Sequence, residues 1–233
     1  MERIGIYGGA FNPPHIGHIA AAKYALESLQ LSRLLVIPSC VSPHKPQPAD
    51  SANPDQRLQM LQIAFSGEDR IEISDLELHR GSVSYTYETV EQLRQQYPQA
   101  ELVLFMGTDM FLSFQNWRNP EIILKNASLA VFYRGEKEET EKIREVTDEL
   151  RQAGHTVYPV ENPVLEISST DLRRMLVLDC ADSFLPPGVK NYIVKNGLYG
   201  TGKNYRDLTE AELEQTVLSL LPPNRVAHVL GCR

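Results

Sequence analysis

The feature that most constrains this chain is a regular alternation of short apolar runs with longer amphipathic segments. Several of the apolar runs, such as "ELVLFMG" (101–107), are apolar on both faces, which is typical of buried parallel strands. This alternation predicts a doubly wound, mostly parallel α/β sheet with helices on both faces. The predicted strands are 3–7, 33–39, 71–74, 101–107, 128–134 and 156–160, and the predicted helices are 17–29, 54–66, 86–96, 119–126 and 138–153.

Glycines and polar residues follow four of the predicted strands. These segments are "YGGAF", "PSCVSPHKP", "GTD" and "RGE". Because the carboxyl ends of parallel strands lie on one edge of a sheet, ligands of doubly wound proteins bind there. The sequence therefore predicts a ligand site at that edge.

Composition excludes several classes of protein. The net charge of −7 argues against a general nucleic-acid binder, although a small anionic ligand needs only local positive charge. Three widely spaced cysteines indicate free thiols in a reducing compartment rather than a disulfide framework. The chain shows neither a signal-peptide pattern nor an apolar run long enough for a membrane span, which predicts a cytoplasmic location and no membrane partner.

The stretch "YGGAFNPPHIGH" (7–18) concentrates glycine, proline and histidine between the first strand and the first helix. We expect the strand to end at Tyr7, so that Gly8 and Gly9 form a tight turn whose backbone N–H groups approach a ligand. His15 and His18 then lie at a helix N-terminus, where unpaired N–H groups and the helix dipole favour an anion. The alternatives are a structural corner with surface histidines, or a zinc site that needs Cys40 or His44 as a third ligand.

A second cluster, "ISSTDLR" (167–173), has the composition of a helix start. Its serines and threonine predict the cap of a helix over about 170–178, which would provide a second anion site. Arg173, one turn into that helix, would reach phosphate oxygens. Taken alone, such a cap is a common structural feature.

Together the two clusters resemble the signatures of a nucleotidyltransferase superfamily, in which His15-Ile16-Gly17-His18 matches the HIGH motif and 167–173 matches an I-S-S-T-x-x-R motif. Over about residues 3–200 the chain is most similar to bacterial nicotinate-nucleotide adenylyltransferases. That similarity rests on "PHK" (43–45), "SVSYTYETVEQL" (82–93), "MGTDMFLSFQNW" (106–117), "FYRGE" (132–136) and "LPPGVKNYIVKNGLY" (185–199). Asn12 and Glu88 stand where aspartate is more usual.

The resemblance implies a Rossmann-like domain that joins nicotinate mononucleotide to the AMP part of ATP, releasing pyrophosphate, with Mg²⁺ accompanying ATP. His15, His18, Lys45 and Arg173 are the implied catalytic residues. Lys45 would reach the phosphates when the proline-rich loop 40–54 closes. The implied ATP contacts are Gly8, Gly9, Phe11, Gly107, Asp109, Ser168 and Ser169, and no protein metal site is expected.

For the acceptor, Trp117 is the expected stacking partner of the pyridine ring, the alternative being an ordinary core tryptophan. Backbone N–H groups at Tyr85 and Thr86 are the expected donors to the nicotinate carboxylate, the alternative being a helix cap at Ser84. Asp109 is expected at the same site, and Arg134 and His79 are weaker candidates.

Two questions stay open in the sequence. Residues 201–233 follow a glycine-rich break and predict a helical extension, or the start of an HD-type domain that the chain does not complete. The rival functions are a nicotinamide-mononucleotide or other small-phosphate nucleotidyltransferase and a catalytically silent nucleotide-binding regulator. A homo-oligomer is compatible with the resemblance.

Overall fold

The computed structural model describes residues 2–41, 51–133, 136–161 and 167–201, together with the isolated positions 209 and 218. Within these residues the strands are β1 (Arg3–Gly9), β2 (Arg33–Pro38), β3 (Ile71–Ile73), β4 (Glu101–Gly107), β5 (Ser128–Tyr133) and β6 (Val157–Glu161). The α-helices are α1 (Ile16–Ser28), α2 (Pro54–Ala64), α3 (Leu76–Arg80), α4 (Thr86–Gln96), α5 (Thr108–Leu112), α6 (Pro120–Asn126), α7 (Lys137–Gln152), α8 (Ser169–Val177) and α9 (Pro187–Lys195).

These strands form one sheet in the order β3-β2-β1-β4-β5-β6, and every pairing between them is parallel. The chain runs outward from the central β1 to β3, then returns to β4 on the other side of β1. The strand order therefore reverses between β1 and β4, which is the point where doubly wound sheets bind their ligands. The predicted α/β architecture is confirmed.

Alternating strand residues supply two cores, one on each face of the sheet. On one face Ile4, Leu104 and Val131 pack with residues of α4, α6 and α7. On the other face Val103 and Phe105 pack with α1 and α2. Because side chains of a strand point alternately to opposite faces, apolar runs such as "LVLF" serve both cores at once.

A third apolar cluster lies apart from the sheet, where α2 meets α8 and α9. Leu172, Val189, Ile193 and Tyr199 are buried in it. This cluster attaches the C-terminal part of the described chain to the helix that follows β2. None of the described helices has the length and apolar character needed to cross a membrane.

One expectation about the site was wrong in detail. β1 does not end at Tyr7, because Gly8 and Gly9 continue the ladder opposite Ile37 and Pro38 of β2. The glycines thus form the carboxyl end of the strand rather than a turn after it.

The short helices α3 and α5 were not predicted, since five residues are too few to show a helical period.

Candidate active site

The carboxyl ends of β1 and β4 carry glycines, and two of them, Gly8 and Gly107, are not required by the packing of the described residues. A Cβ atom added to Gly8 or to Gly107 would meet no atom of the described residues within 4 Å, and neither residue has a positive φ. At Gly9 a Cβ would meet the ring of Phe11 at 3.0 Å. A glycine with open space above it, at the switch point of the sheet, is what close approach of a ligand to backbone requires.

The two histidines lie together at the start of α1. Their rings stack with centroids 3.7 Å apart, and His15 is buried. The backbone N–H of His15 donates to Nδ1 of His18 over 3.2 Å. A neutral imidazole whose Nδ1 accepts a hydrogen bond carries its proton on Nε2. His18 is thus fixed as a donor through Nε2.

Burial keeps both imidazoles neutral in the free protein. It lowers the pKa of His15 to about 4. Burial, with a smaller contribution from His15, holds the pKa of His18 well below its usual value. Hydrogen bonding, rather than a fixed positive charge, is therefore what the pair offers a ligand at neutral pH.

Phe11 lies beneath the histidines rather than beside a ligand. Its side chain is buried, and its ring meets the rings of His18 and Tyr7 edge-on, with centroids 5.0 Å and 5.1 Å away. The residue has φ 47°, a conformation that non-glycine residues seldom adopt. The expected ATP contact of Phe11 can therefore come from its backbone only, and its side chain supports His18.

The second motif begins α8, as predicted. Ser168 is the N-cap, and its hydroxyl accepts from the backbone N–H of Asp171 over 3.0 Å. The Ser169 hydroxyl approaches the carbonyl oxygen of Pro13 at 3.4 Å. Arg173 donates to the carbonyl oxygen of Asn12 over 2.8 Å. The two sequence motifs, far apart in the chain, thus meet at the turn formed by residues 12–13.

Asn12 also joins this turn to the C-terminal part of the fold. Its side-chain oxygen accepts a hydrogen bond of 2.5 Å from the hydroxyl of Tyr199, and both residues are buried. Tyr199 has φ 56°, inside a short 3₁₀ turn that follows α9. Asn12, which stands where aspartate is more usual, therefore makes a structural contact next to the histidines.

Across the switch point, Gly107 ends β4 and is the N-cap of α5. Gly107 and Asp109 are both exposed at that edge. Trp117 follows at the end of the next 3₁₀ turn and is half-buried, with its ring 5.5 Å from that of Phe114. Trp117 packs on the core and is only partly buried, so its stacking on the pyridine ring stays a prediction.

The start of α4 forms the remaining expected subsite. Tyr85 is the N-cap, so a cap at Ser84 is not what is observed. The Ser84 hydroxyl instead accepts from the backbone N–H of Cys40, which ties this loop to the end of β2. The guanidinium of Arg118 lies 4.6 Å from the centre of the Tyr85 ring, which joins the start of α4 to the segment that carries Trp117.

Some expected site residues lie outside the described part of the chain. Lys45 and His44 fall in residues 42–50, and Arg134 falls in 134–135. The closing of the 40–54 loop therefore stays a prediction.

Within the described residues there is no group of three His, Cys, Asp or Glu side chains that could hold a metal ion. His79 is exposed and pairs with Asp75.

Two residues near the site were not singled out from the sequence: Arg57, and Tyr199, which donates to the side chain of Asn12. Arg57 is buried within α2 and donates to backbone carbonyl groups after β1 and β2. In sequence it stands among polar residues, "PDQRLQ", and nothing in the local pattern indicates burial. These contacts come from tertiary packing, so only an unusually conserved arginine or tyrosine in related chains could have indicated them.

The fold and the paired motifs define a class of protein, and the comparisons agree with it. The cytidylyltransferase-like family model matches residues 6–175. The chain belongs to this family. Within it, the predicted resemblance to nicotinate-nucleotide adenylyltransferases is confirmed by the named relatives.

Curated relatives of this chain are probable nicotinate-nucleotide adenylyltransferases from several bacteria. The protein of Rhodopirellula baltica is 40% identical over 186 residues, which cover 79% of this chain and 86% of the relative. That of Geobacillus thermodenitrificans is 35% identical over 213 residues, covering 91% of this chain and 92% of the relative. That of Borreliella burgdorferi is 33% identical over 198 residues, covering 84% of this chain and 96% of the relative.

Solved structures confirm the fold. The Plasmodium falciparum nicotinic acid mononucleotide adenylyltransferase complexed with NaAD has a TM-score of 0.70 at 19% identity, covering 87% of this chain and 99% of that one. A putative nicotinate-nucleotide adenylyltransferase from Vibrio parahaemolyticus has a TM-score of 0.59 at 23% identity, covering 85% of this chain and 96% of that one.

Proposed function

We propose that this chain is a nicotinate-nucleotide adenylyltransferase of NAD biosynthesis. The observation that carries the proposal is the meeting of the two motifs at the 12–13 turn, beside the switch point, in a chain up to 40% identical to proteins of that name. The enzyme transfers the adenylyl group of ATP to nicotinate mononucleotide. The products are nicotinate adenine dinucleotide and pyrophosphate.

The reaction forms one phosphorus–oxygen bond and breaks another. The 5′-phosphate of nicotinate mononucleotide attacks the α-phosphorus of ATP in line, and the bond to the β-phosphate breaks as pyrophosphate leaves. The nucleophile is already an anion, so no catalytic base is required. The enzyme must hold two polyanions against their repulsion and stabilise the charge on the oxygens of the α-phosphate.

His18 is the donor that we assign to the α-phosphate. Its Nδ1 is engaged with the backbone of His15, so Nε2–H is the group left to face a ligand. A neutral donor that is already oriented needs no reorganisation as charge develops on the phosphate oxygens. The stacked His15 and the edge of Phe11 restrict the rotation of the His18 ring.

The triphosphate would lie along the two helix N-termini that the motifs create. Arg173 donates to the carbonyl oxygen of Asn12 and to the hydroxyl of Thr170 in the free protein, and the residue is only partly buried. We assign it, with His15, Lys45, Ser168 and Ser169, to the phosphates of ATP. Gly8, Gly9 and the backbone of Phe11 would face the nucleotide, as would Gly107 and Asp109 at the end of β4.

The acceptor would lie between Trp117 and the start of α4. Trp117 is only partly buried, and its indole would offer a flat surface to the pyridine ring. Backbone N–H groups of the first turn of α4 would donate to the nicotinate carboxylate, since that turn has no intrahelical acceptors for them. Asp109 and Arg134 are further candidates for contact with the mononucleotide.

Mg²⁺ belongs to this proposal as an ion carried by ATP. Mg²⁺ keeps several waters and commonly binds through phosphates and one or two carboxylates rather than in a protein cage. The exposed residue Asp109 would offer one carboxylate of this kind. When bound, the ion would neutralise charge on the triphosphate.

A cytoplasmic location is also part of the proposal, because the free thiols of Cys40 and Cys180 persist in a reducing compartment.

The test is an assay of pyrophosphate release from ATP and Mg²⁺ with either nicotinate mononucleotide or nicotinamide mononucleotide as acceptor. We expect release with the acid, and nicotinate adenine dinucleotide in equal amount. Equal turnover of the amide would assign a different acceptor. Binding of ATP without any turnover would indicate a nucleotide-binding regulator instead.

A further inference from the structure

A buried arginine outside both motifs connects the two loops that border the site. Arg57 lies in α2 and is fully buried. Its guanidinium donates to the carbonyl oxygen of Ala10 over 2.7 Å, to that of Ser39 over 2.6 Å and to that of Cys40 over 3.2 Å. Ala10 follows β1, and the other two residues follow β2. One side chain therefore bridges the carboxyl ends of two neighbouring strands at the ligand edge.

The charge of this side chain has an unusual environment. Its hydrogen bonds, within the described residues, all go to carbonyl oxygens and none goes to a carboxylate. Burying a charged guanidinium is expensive even when carbonyl oxygens accept its hydrogen bonds, and an apolar side chain of similar volume would usually pack at lower cost. Met60 and Leu61, about one turn further along the same helix, are buried in two apolar clusters. Packing alone therefore does not explain an arginine here.

The bridge has a direct consequence for the ligand edge. A carbonyl group that accepts from a charged donor is polarised, which strengthens the N–H of the same peptide as a donor. The peptide whose carbonyl is that of Ala10 has the N–H of Phe11, in the segment that would face the nucleotide. The peptide whose carbonyl is that of Ser39 has the N–H of Cys40, which donates to Ser84 in the loop before α4. Arg57 is thus linked to both the ATP side and the acceptor side.

We infer that Arg57 is a positioning residue for adenylyl transfer, because its guanidinium fork fixes the end of β1 relative to the end of β2. This inference rests on the proposed function. The side chain is buried and touches no substrate. It acts through the backbone of Ala10 and Cys40, so that the two substrates meet in the geometry that in-line attack requires.

The chain offers a matched control in Arg94. Its guanidinium also donates to backbone carbonyls, those of Ala100 at 2.7 Å and Asn126 at 2.5 Å. These residues precede β4 and β5, at the opposite edge of the sheet. Arg94 therefore performs the same structural task away from the ligand edge.

The experiment compares the full chain with its Arg57→Met, Arg57→Lys and Arg94→Met variants, at a temperature where each is folded by circular dichroism. It measures kcat, KM for each substrate and amide hydrogen exchange. We expect Arg94→Met to lower the unfolding temperature without changing the kinetic constants. Arg57→Met should lower kcat/KM by about 10²-fold, the scale of a misplaced substrate, and speed exchange selectively at 8–11 and 39–41. Arg57→Lys keeps the charge but cannot bridge both loops. Its KM for ATP should therefore be closer to that of the unaltered chain than the KM of Arg57→Met, while its kcat stays low.

Normal kinetic constants in folded Arg57→Met, or in Arg57→Lys if the first variant does not fold, would overturn the inference. So would an increase in exchange that is spread equally over the sheet in the Arg57 and Arg94 variants. The exchange measurement does not depend on the reaction. If the unaltered chain and Arg94→Met both lack adenylyl transfer, the proposed function fails, and the exchange pattern alone decides whether Arg57 orders these two loops.

Discussion

Among single residues, His18 shows how the backbone can decide which atom of a side chain does chemistry. The N–H of His15 occupies Nδ1, and this leaves Nε2–H as the donor. The sequence pattern could indicate that two histidines share a helix start. It could not indicate that one of them orients the other, because that depends on the stacking of their rings at 3.7 Å.

We predict that His18→Asn keeps the fold and loses activity. The asparagine oxygen lies where Nδ1 lies, so it can accept from His15, but the outward donor is gone. One lost donor to a developing oxyanion costs about 10²-fold in kcat. Steady-state kinetics at saturating substrates measure this loss. His18→Gln is the control, since its amide nitrogen can take the place of Nε2–H, and it should retain more activity than His18→Asn.

The pKa of His15 predicts how stability depends on pH. Burial lowers this pKa from 6.5 in the unfolded chain to about 4 in the folded one. Between these values the unfolded state binds more protons, so the free energy of unfolding increases with pH and is lost as the pH falls from 6.5 towards 4. A displacement of this size corresponds to about 3 kcal/mol.

His15→Asn should therefore flatten the pH dependence of urea unfolding between pH 6.5 and 4, while stability at pH 7.5 changes less. Asparagine is chosen because it is a good N-cap and does not titrate. Identical pH profiles for the two proteins would show that His15 is not buried as described. His18, whose pKa is displaced in the same direction, continues to contribute part of the slope in the variant.

Among the secondary-structure elements, α4 is the one whose position decides the choice of acceptor. Its N-cap Tyr85 has an extended backbone with ψ 125°. The first helical position, Thr86, therefore accepts proline without strain, since residues before proline prefer that region and proline is favoured at the first position of a helix. This allows one N–H donor to be removed without unfolding the helix.

We predict that the chain prefers the acid over the amide acceptor by orders of magnitude in kcat/KM, since mismatched buried donors are costly. Thr86→Pro should reduce this preference about tenfold or more, the value of one hydrogen bond to a charged group. Kinetics with both mononucleotides measure the ratio. Thr86→Ala keeps the N–H and should leave the preference unchanged. An unchanged ratio in Thr86→Pro would exclude that N–H from carboxylate binding.

The elements also show where prediction from sequence ends. All the strands of the described sheet were predicted within two residues at each end, because buried parallel strands are marked by continuous apolar runs. The start of α8 was predicted because a Ser/Thr cap has a local signature, and the start of α1 was predicted because prolines come directly before it. The short α3 and α5 were missed, and so was the burial of Arg57, because these features depend on tertiary contacts that no local pattern encodes.

In the whole molecule, residues from distant parts of the chain converge on one turn. Asn12 receives a hydrogen bond from Arg173, 161 positions away, and one from Tyr199, 187 positions away. The motifs predicted that the first of these residues would be near the site. Nothing in the sequence connected the second to it, because Tyr199 stands in an apparently ordinary closing segment, and its hydroxyl reaches Asn12 only through the packing of α8 and α9.

This convergence sharpens what truncation of the chain should do. Residues 1–200 are predicted to form the nucleotidyltransferase domain, and 202–233 lie outside the described residues apart from 209 and 218. Every assigned substrate contact lies before residue 174. We therefore expect the chain 1–202, which lacks 203–233, to retain kcat and both KM values.

A shorter chain, 1–196, also lacks Tyr199. The buried side-chain oxygen of Asn12 then loses that partner, and the third apolar cluster is opened. It should unfold at lower temperature and lose activity. A stable, folded 1–202 protein without adenylyl transfer would place part of the catalytic machinery in the tail, and full activity in 1–196 would show that the Asn12 turn keeps its geometry without Tyr199.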